Sequence, residues 1–173
     1  MNLLGFGVVG LYLGLAAGPA LAERTSMLFQ FESWVVEGVT ADDRSYSCRA
    51  KVSVLGDSFS IRSIPDQSIR LEFYSEEWDF GEGETASLEV AIDDGSPWTF
   101  TGATLLQSSV FVDISDPEAG KTFVKQVARG ATLYLRAADG TEVRNYTLTG
   151  SSDAIEHLRT CDLSVIPDRN PFN

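Results

Sequence analysis

Polar and apolar residues alternate along most of the chain, in short runs separated by turn residues. Leu28-Phe29-Gln30-Phe31 leads into Trp34-Val35-Val36. Tyr46 to Val54 repeats with a period of two, which sets Tyr46, Cys48, Ala50, Val52 and Val54 on one face of a strand. Phe59 and Ile61, then Ile69, Leu71 and Phe73, continue the pattern on either side of Pro65-Asp66. Leu88, Val90 and Ile92 alternate with Glu89, Ala91 and Asp93 before the turn residues Asp94-Gly95-Ser96-Pro97. Phe111-Val112-Asp113-Ile114 reads as another strand. Residues 131–136 and 142–148 flank Asp139-Gly140, a dipeptide that favours a tight hairpin.

Two stretches carry helical signals instead. Asp116 is a natural N-cap, Pro117 suits the first helical position, and Gly130 sits where a C-cap glycine belongs. Phe123, Val124 and Val127 form the apolar stripe between them, and Gly120 weakens the first turn. A second helix spans about residues 152–160, with Asp153 and Glu156 in capping-box spacing and Cys161 closing it. Its Ala154, Ile155 and Leu158 face inward. Many strands with two short helices predict an all-β dominated fold, a single β-sandwich or a strongly bent antiparallel sheet.

The N-terminus breaks the alternation. Leu3 to Ala17 is an apolar run, Gly18-Pro19 ends it, and Ala20-Leu21-Ala22 offers the small-x-small site of a signal peptidase. The run is too short for a membrane span, and no Lys or Arg precedes it. The expectation is a signal peptide over residues 1–22, one domain over 23–166 and a flexible tail over 167–173. The mature protein would be periplasmic or secreted, with no membrane span. In such an oxidising compartment Cys48 and Cys161, the two cysteines of the chain, are expected to pair.

Charge sharpens this picture. The formal net charge is −12, and no basic residue lies between Arg70 and Lys121. That window holds an acid excess equal to the whole net charge. Such a field repels phosphate backbones, which disfavours nucleic acid as a partner. A cationic partner or calcium is what it can attract, and it also keeps an exported protein in solution. Its densest part is Glu76, Glu77, Trp78, Asp79, Phe80, Glu82 and Glu84, a candidate acidic and aromatic patch. Carboxylates among glycines can wrap calcium, although this spacing matches no EF-hand loop. Trp78 and Phe80, with Trp98 and Phe100, fit either an aromatic binding surface or core positions.

Candidate catalytic chemistry is thin. Gly56-Asp57-Ser58 followed by Phe59 resembles the nucleophile block of the GDSL esterases, with Ser58 as nucleophile and Asp153 and His157 as its activating pair. The Asp-x-x-x-His spacing departs from that family, and Gly-Asp-Ser is also ordinary turn chemistry. His157 is the one histidine, and two cysteines with one histidine do not make the usual tetrahedral zinc set. No resident metal, cofactor or catalytic residue is expected.

The C-terminal half carries a further pattern. Phe123 to Val127, Gly130, Leu133-Tyr134-Leu135, Asp139-Gly140 and Tyr146 to Ile155 follow in order: a helix, a glycine, a hairpin, then Leu148-Thr149-Gly150-Ser151 and a helix reaching Cys161. This resembles exported proteobacterial modules of the invasion-associated locus B and VasI-like type. Trp34 ahead of Cys48 and the turn at Ile92-Asp93-Asp94-Gly95 fit the same layout. The resemblance implies a periplasmic β-sandwich without established catalytic residues. It thus points to a non-enzymatic binding or envelope-associated protein, contacting another protein or a component of the cell envelope.

Overall fold

The structure, a computed structural model, describes residues 23–41, 45–63 and 68–165, with Glu82 and residues 163–165 described in their backbone only. The expected leader 1–22, the Pro65-Asp66 break and the tail 167–173 lie outside the described residues. The strands are β1 (Arg24–Phe31), β2 (Trp34–Thr40), β3 (Tyr46–Val54), β4 (Asp57–Ser63), β5 (Ile69–Ser75), β6 (Glu82–Ile92), β7 (Trp98–Leu106) and β8 (Ser109–Ile114). Helix α1 (Pro117–Val127), the hairpin β9 (Thr132–Ala137) and β10 (Glu142–Thr147), and helix α2 (Ser151–Val165) complete the elements of the described residues.

All pairings are antiparallel and join the strands into one ten-stranded sheet, ordered β1-β2-β3-β4-β5-β8-β7-β6-β9-β10. The sheet is bent until its two ends face each other. Tyr146 on β10 lies 5.8 Å from Phe59 on β4 and 6.0 Å from Phe73 on β5, ring centre to ring centre, although these strands are far apart in the sheet order. The alternation explains the bend. Trp34, Val36, Cys48, Ala50, Val52, Phe59, Ile61, Leu71 and Phe73 all lie on the concave face and are buried, and only a second layer can cover them. Arg49, Lys51, Arg62, Arg70 and Glu72 take the intervening positions on the convex face.

Both helices close the core. α1 buries Phe123 and Val127, and Phe123 meets the Trp98 ring edge-on at 5.4 Å. α2 lies over β1, β2 and β3 and buries Ala154, Leu158 and Cys161. Cys161 is bonded to Cys48 with 6.1 Å between Cα atoms, so the expected disulfide is present and staples α2 to β3. Beside it Asp162 accepts a hydrogen bond from Ser63; burial raises its carboxyl above the ordinary range, and the bond partly offsets this.

Three local readings are corrected, and one element is added. Asp116 caps α1 as expected, accepting from the Glu118 and Ala119 N–H groups, but Ala128 rather than Gly130 is the C-cap. Gly130 is needed for space: a Cβ there would stand 2.4 Å from Ile92 Cγ2. The Asp153–Glu156 capping box does not form, because α2 starts earlier, at Ser151, whose hydroxyl donates to the Val127 carbonyl. α2 also runs past Cys161 to Val165, so the cysteine lies inside the helix. The added element is β7, a full strand: the left-handed Gly102 (φ 81°), the extra residue of a bulge opposite Ala86-Ser87 of β6, interrupts the alternation that would have marked it.

Candidate functional site

The acidic and aromatic patch lies at one end of the bent sheet, where three turns meet. The β3–β4 turn is Leu55-Gly56, both left-handed at φ 46° and 86°, as a two-residue hairpin of this hand requires. The Gly-Asp-Ser turn reading is therefore displaced by one residue, with Asp57 and Ser58 already in β4. The β5–β6 connection holds Glu76 to Gly81, and Gln107-Ser108 links β7 to β8. Four backbone hydrogen bonds lash the turns together: Glu76 N–H to Gly56 at 3.1 Å, Ser75 N–H to Ser108 at 3.1 Å, Phe80 N–H to Gln107 at 2.9 Å, and Gln107 N–H to Gly81 at 2.8 Å. The Ser108 hydroxyl adds a bond to the Trp78 carbonyl at 2.8 Å. These loops are consequently a fixed platform.

Glu76, Glu77, Asp79 and Glu84 are exposed on it, while Trp78 and Phe80 are half-buried. The side chain of Glu82 is outside the described residues. Trp78 and Phe80 stand 5.4 Å apart and pack against the core. Trp98 and Phe100 form a second pair at 6.5 Å, tied to α1 through Trp98 Nε1, which donates to Gln126 Oε1 at 2.7 Å. Among the described residues no ring contact joins the two pairs, so they do not make one aromatic surface. Leu55, at the tip of the β3–β4 turn, is wholly exposed.

Arg144 of β10 closes the platform from the facing layer. Its guanidinium lies 5.6 Å above the Trp78 ring, donates to Ser75 Oγ at 3.2 Å, pairs with Glu77, and brings Nε within 2.9 Å of Asp57 Oδ2. The Nε–H is not aimed at that oxygen and stays unsatisfied, as does the neighbouring Tyr146 hydroxyl. The strand period sets this order: Tyr146, Phe59 and Phe73 form an aromatic layer, and two residues along each strand Arg144, Asp57 and Ser75 form a polar layer above it. Burial and then the negative charge of Asp57 push the Tyr146 hydroxyl far above its usual pKa, with Arg144 opposing. Tyr146 is therefore a neutral core residue. Pairing across layers is invisible in strand spacing, and it is why Arg144 escapes a reading of the sequence.

The remaining candidates do not converge. Ser58 lies on the convex face, in an open groove of about 390 Å³ lined by Arg49, Lys51, Ser53, Tyr74 and Glu76 among others. His157 is on α2, over the concave face, with its ring stacked 3.5 Å from that of Phe29 and Nδ1 2.9 Å from the Asp153 carbonyl oxygen. The sheet separates Ser58 from His157 and Asp153, so the three cannot act as a hydrolytic triad. Among the described residues no three His, Cys, Asp or Glu side chains gather in a way that could hold a metal ion. Glu77 in particular is turned to Arg144. No helix among the described residues is long and apolar enough to cross a membrane.

Fold and site together define a bent antiparallel β module with a disulfide-stapled helix and a rigid acidic end. No protein-family model matches the chain, and no curated protein matches it in sequence. Among solved structures, the crystal structure of invasion associated protein B from Bartonella henselae is similar in fold. The match has a TM-score of 0.55 at 17% identity, over 81% of this chain and 99% of that one.

Proposed function

We propose that the chain is an exported, non-enzymatic binding protein of the cell envelope, and that the acidic end of its sheet contacts a cationic protein or envelope component. The observation that carries this reading is the platform itself: exposed carboxylates and the Leu55 side chain are held on turns that backbone hydrogen bonds make rigid. Pre-set loops of this kind lose little entropy on binding. Export is supported by the buried disulfide, which suits an oxidising compartment. β1 starts at Arg24, and the Glu23 carboxylate already forks onto Arg62 at 2.7 and 2.8 Å, immediately after the expected cleavage site at Ala22. The fold likeness to an invasion associated protein adds to the reading.

The test is co-purification from envelope extract with the tagged product of the full-length gene as bait. A specifically retained partner should be released by salt and lost with the triple change Glu76→Gln, Glu77→Gln, Asp79→Asn, while the melting temperature holds. A partner retained equally by that variant places binding elsewhere. Intact mass decides the leader: a mass that still includes residues 1–22 overturns removal. Ester turnover abolished by Ser58→Ala would overturn the non-enzymatic reading.

A further inference from the structure

β6 leaves the acidic platform at Glu82 and carries the chain to the opposite end of the sheet. There its turn into β7 faces the last turn of α1 across an open groove of about 530 Å³. Ile92, Asp93 and Ser96 line one side, and Lys125, Gln126 and Arg129 the other. Lys125 and Arg129 stand one helical turn apart, where like charges repel, and neither is in an ion pair among the described residues. Nor do they cap the helix. The Val124 carbonyl accepts from the Ala128 N–H, that of Gln126 from the Arg129 and Gly130 N–H groups, and that of Val127 from the Ser151 hydroxyl. Trp98 Nε1–H donates to Gln126 Oε1, which orients that amide and leaves its Nε2 donors free. The Ser96 hydroxyl is likewise without a hydrogen bond among the described residues. Asp93 is the one carboxylate lining the groove, and it is already engaged, accepting from the Ala131 N–H at 3.0 Å and the Thr132 N–H at 2.8 Å.

We propose that this groove binds a phosphomonoester, with its phosphate held between Lys125 and Arg129. The groove offers donors and positive charge while its one carboxylate is engaged, so the matching ligand is an acceptor-rich anion. The Arg129 fork, the Lys125 ammonium, the Gln126 amide and the Ser96 hydroxyl together bring more N–H and O–H groups than the roughly four lone-pair sites of a carboxylate can use. A phosphomonoester adds a third acceptor oxygen, and its charge of about −2 matches the two cations. The groove has the size of a small-molecule site and a hydrocarbon wall at Ile92, so it has room for the organic group of an ester beyond the phosphate itself. The net charge of −12 does not forbid this, because at physiological salt charges farther off than about 8 Å are screened and the local pair governs. A soluble ester and a lipid headgroup share this chemistry.

Two measurements on the product of the full-length gene test this at physiological salt. One is calorimetric titration with glycerol phosphate; the other is flotation with phosphatidylcholine vesicles that carry phosphatidic acid. Saturable binding of the soluble ester, or flotation that requires phosphatidic acid, is expected, and the arm that responds identifies the source. Arg129→Gln should weaken that binding by about tenfold or more, the worth of a charge-assisted hydrogen bond. Gln126→Glu is the sharper variant. Its carboxylate can still accept from Trp98, so the melting temperature should hold, but the donor facing the ligand becomes a like charge and binding should be lost. Binding in neither arm overturns the proposal. So does binding that both variants leave unchanged, which would use another site. None of these outcomes depends on the acidic platform, which lies at the other end of the sheet.

Discussion

Replacing Cys48 with alanine removes the covalent link between β3 and α2, and the geometry supplies the size of the effect. The bond closes a loop with a sequence separation of 113 residues. On the chain-entropy model, a cross-link over that length withdraws about 4.8 kcal/mol of disorder from the unfolded chain. The packing that otherwise holds α2 is weaker: Leu158 is its largest fully described buried side chain, and burying one leucine contributes about 2 kcal/mol. The staple therefore outweighs the principal contact beside it. Both sulfurs belong to buried residues, so alanine rather than serine isolates the loss of the bond from the cost of an unpaired hydroxyl. Cys48→Ala should lower stability by roughly 3–5 kcal/mol and the melting temperature by about 10–15 °C. Cys161→Ala should match it, and the double variant should cost no more than either alone. Urea unfolding followed by circular dichroism measures all three, with reduced wild-type protein as a fourth sample. A loss below about 1 kcal/mol, or single losses that add in the double variant, would refute the reasoning.

Two further outcomes follow from the packing and the charges. Gly130→Ala should destabilise by about 1–3 kcal/mol in thermal unfolding, because its Cβ would stand 2.4 Å from Ile92 Cγ2 and 3.0 Å from Cδ1 of the buried Leu148; an unchanged melting temperature would mean that the half-buried Ile92 yields freely. Glu23→Gln tests the Arg62 fork, whose hydrogen bond is the main cause of the lowered Glu23 pKa, with the charges of Arg62 and Arg49 adding to it against burial. A depressed folded-state pKa gives stability that is present above the ordinary carboxylate value and lost as pH falls through the folded value. Wild type should thus exceed the variant by about 0.5 kcal/mol near neutral pH, a small figure because the fork is partly solvated, and the gap should close on acidification; a gap that widens in acid contradicts the assignment.

Much of this architecture was legible in the chain because a strand period of two is a local property. Cys48, Ala50 and Val52 alternate with Arg49 and Lys51, and that order alone determines which face must be covered. Asp116-Pro117 and Asp139-Gly140 likewise act through their own backbone, and both mark the elements they predict. The β7 strand was hidden because Gly102 and the opposing register shift break the period, and a break reads the same whether it ends a strand or bends one. The helix ends shifted for a different reason. Ser151 bonds to Val127 and Gly130 yields to Ile92, and these partners are distant in sequence, so capping chemistry read locally could not see them. The site divides along the same line. Composition marked the acidic stretch from Glu76 to Glu84, but only the bend of the sheet brought Arg144 over Trp78 and put Ser58 and His157 on opposite faces. Local sequence determines period and turn, whereas the curvature that closes ten strands around one core decides which side chains meet.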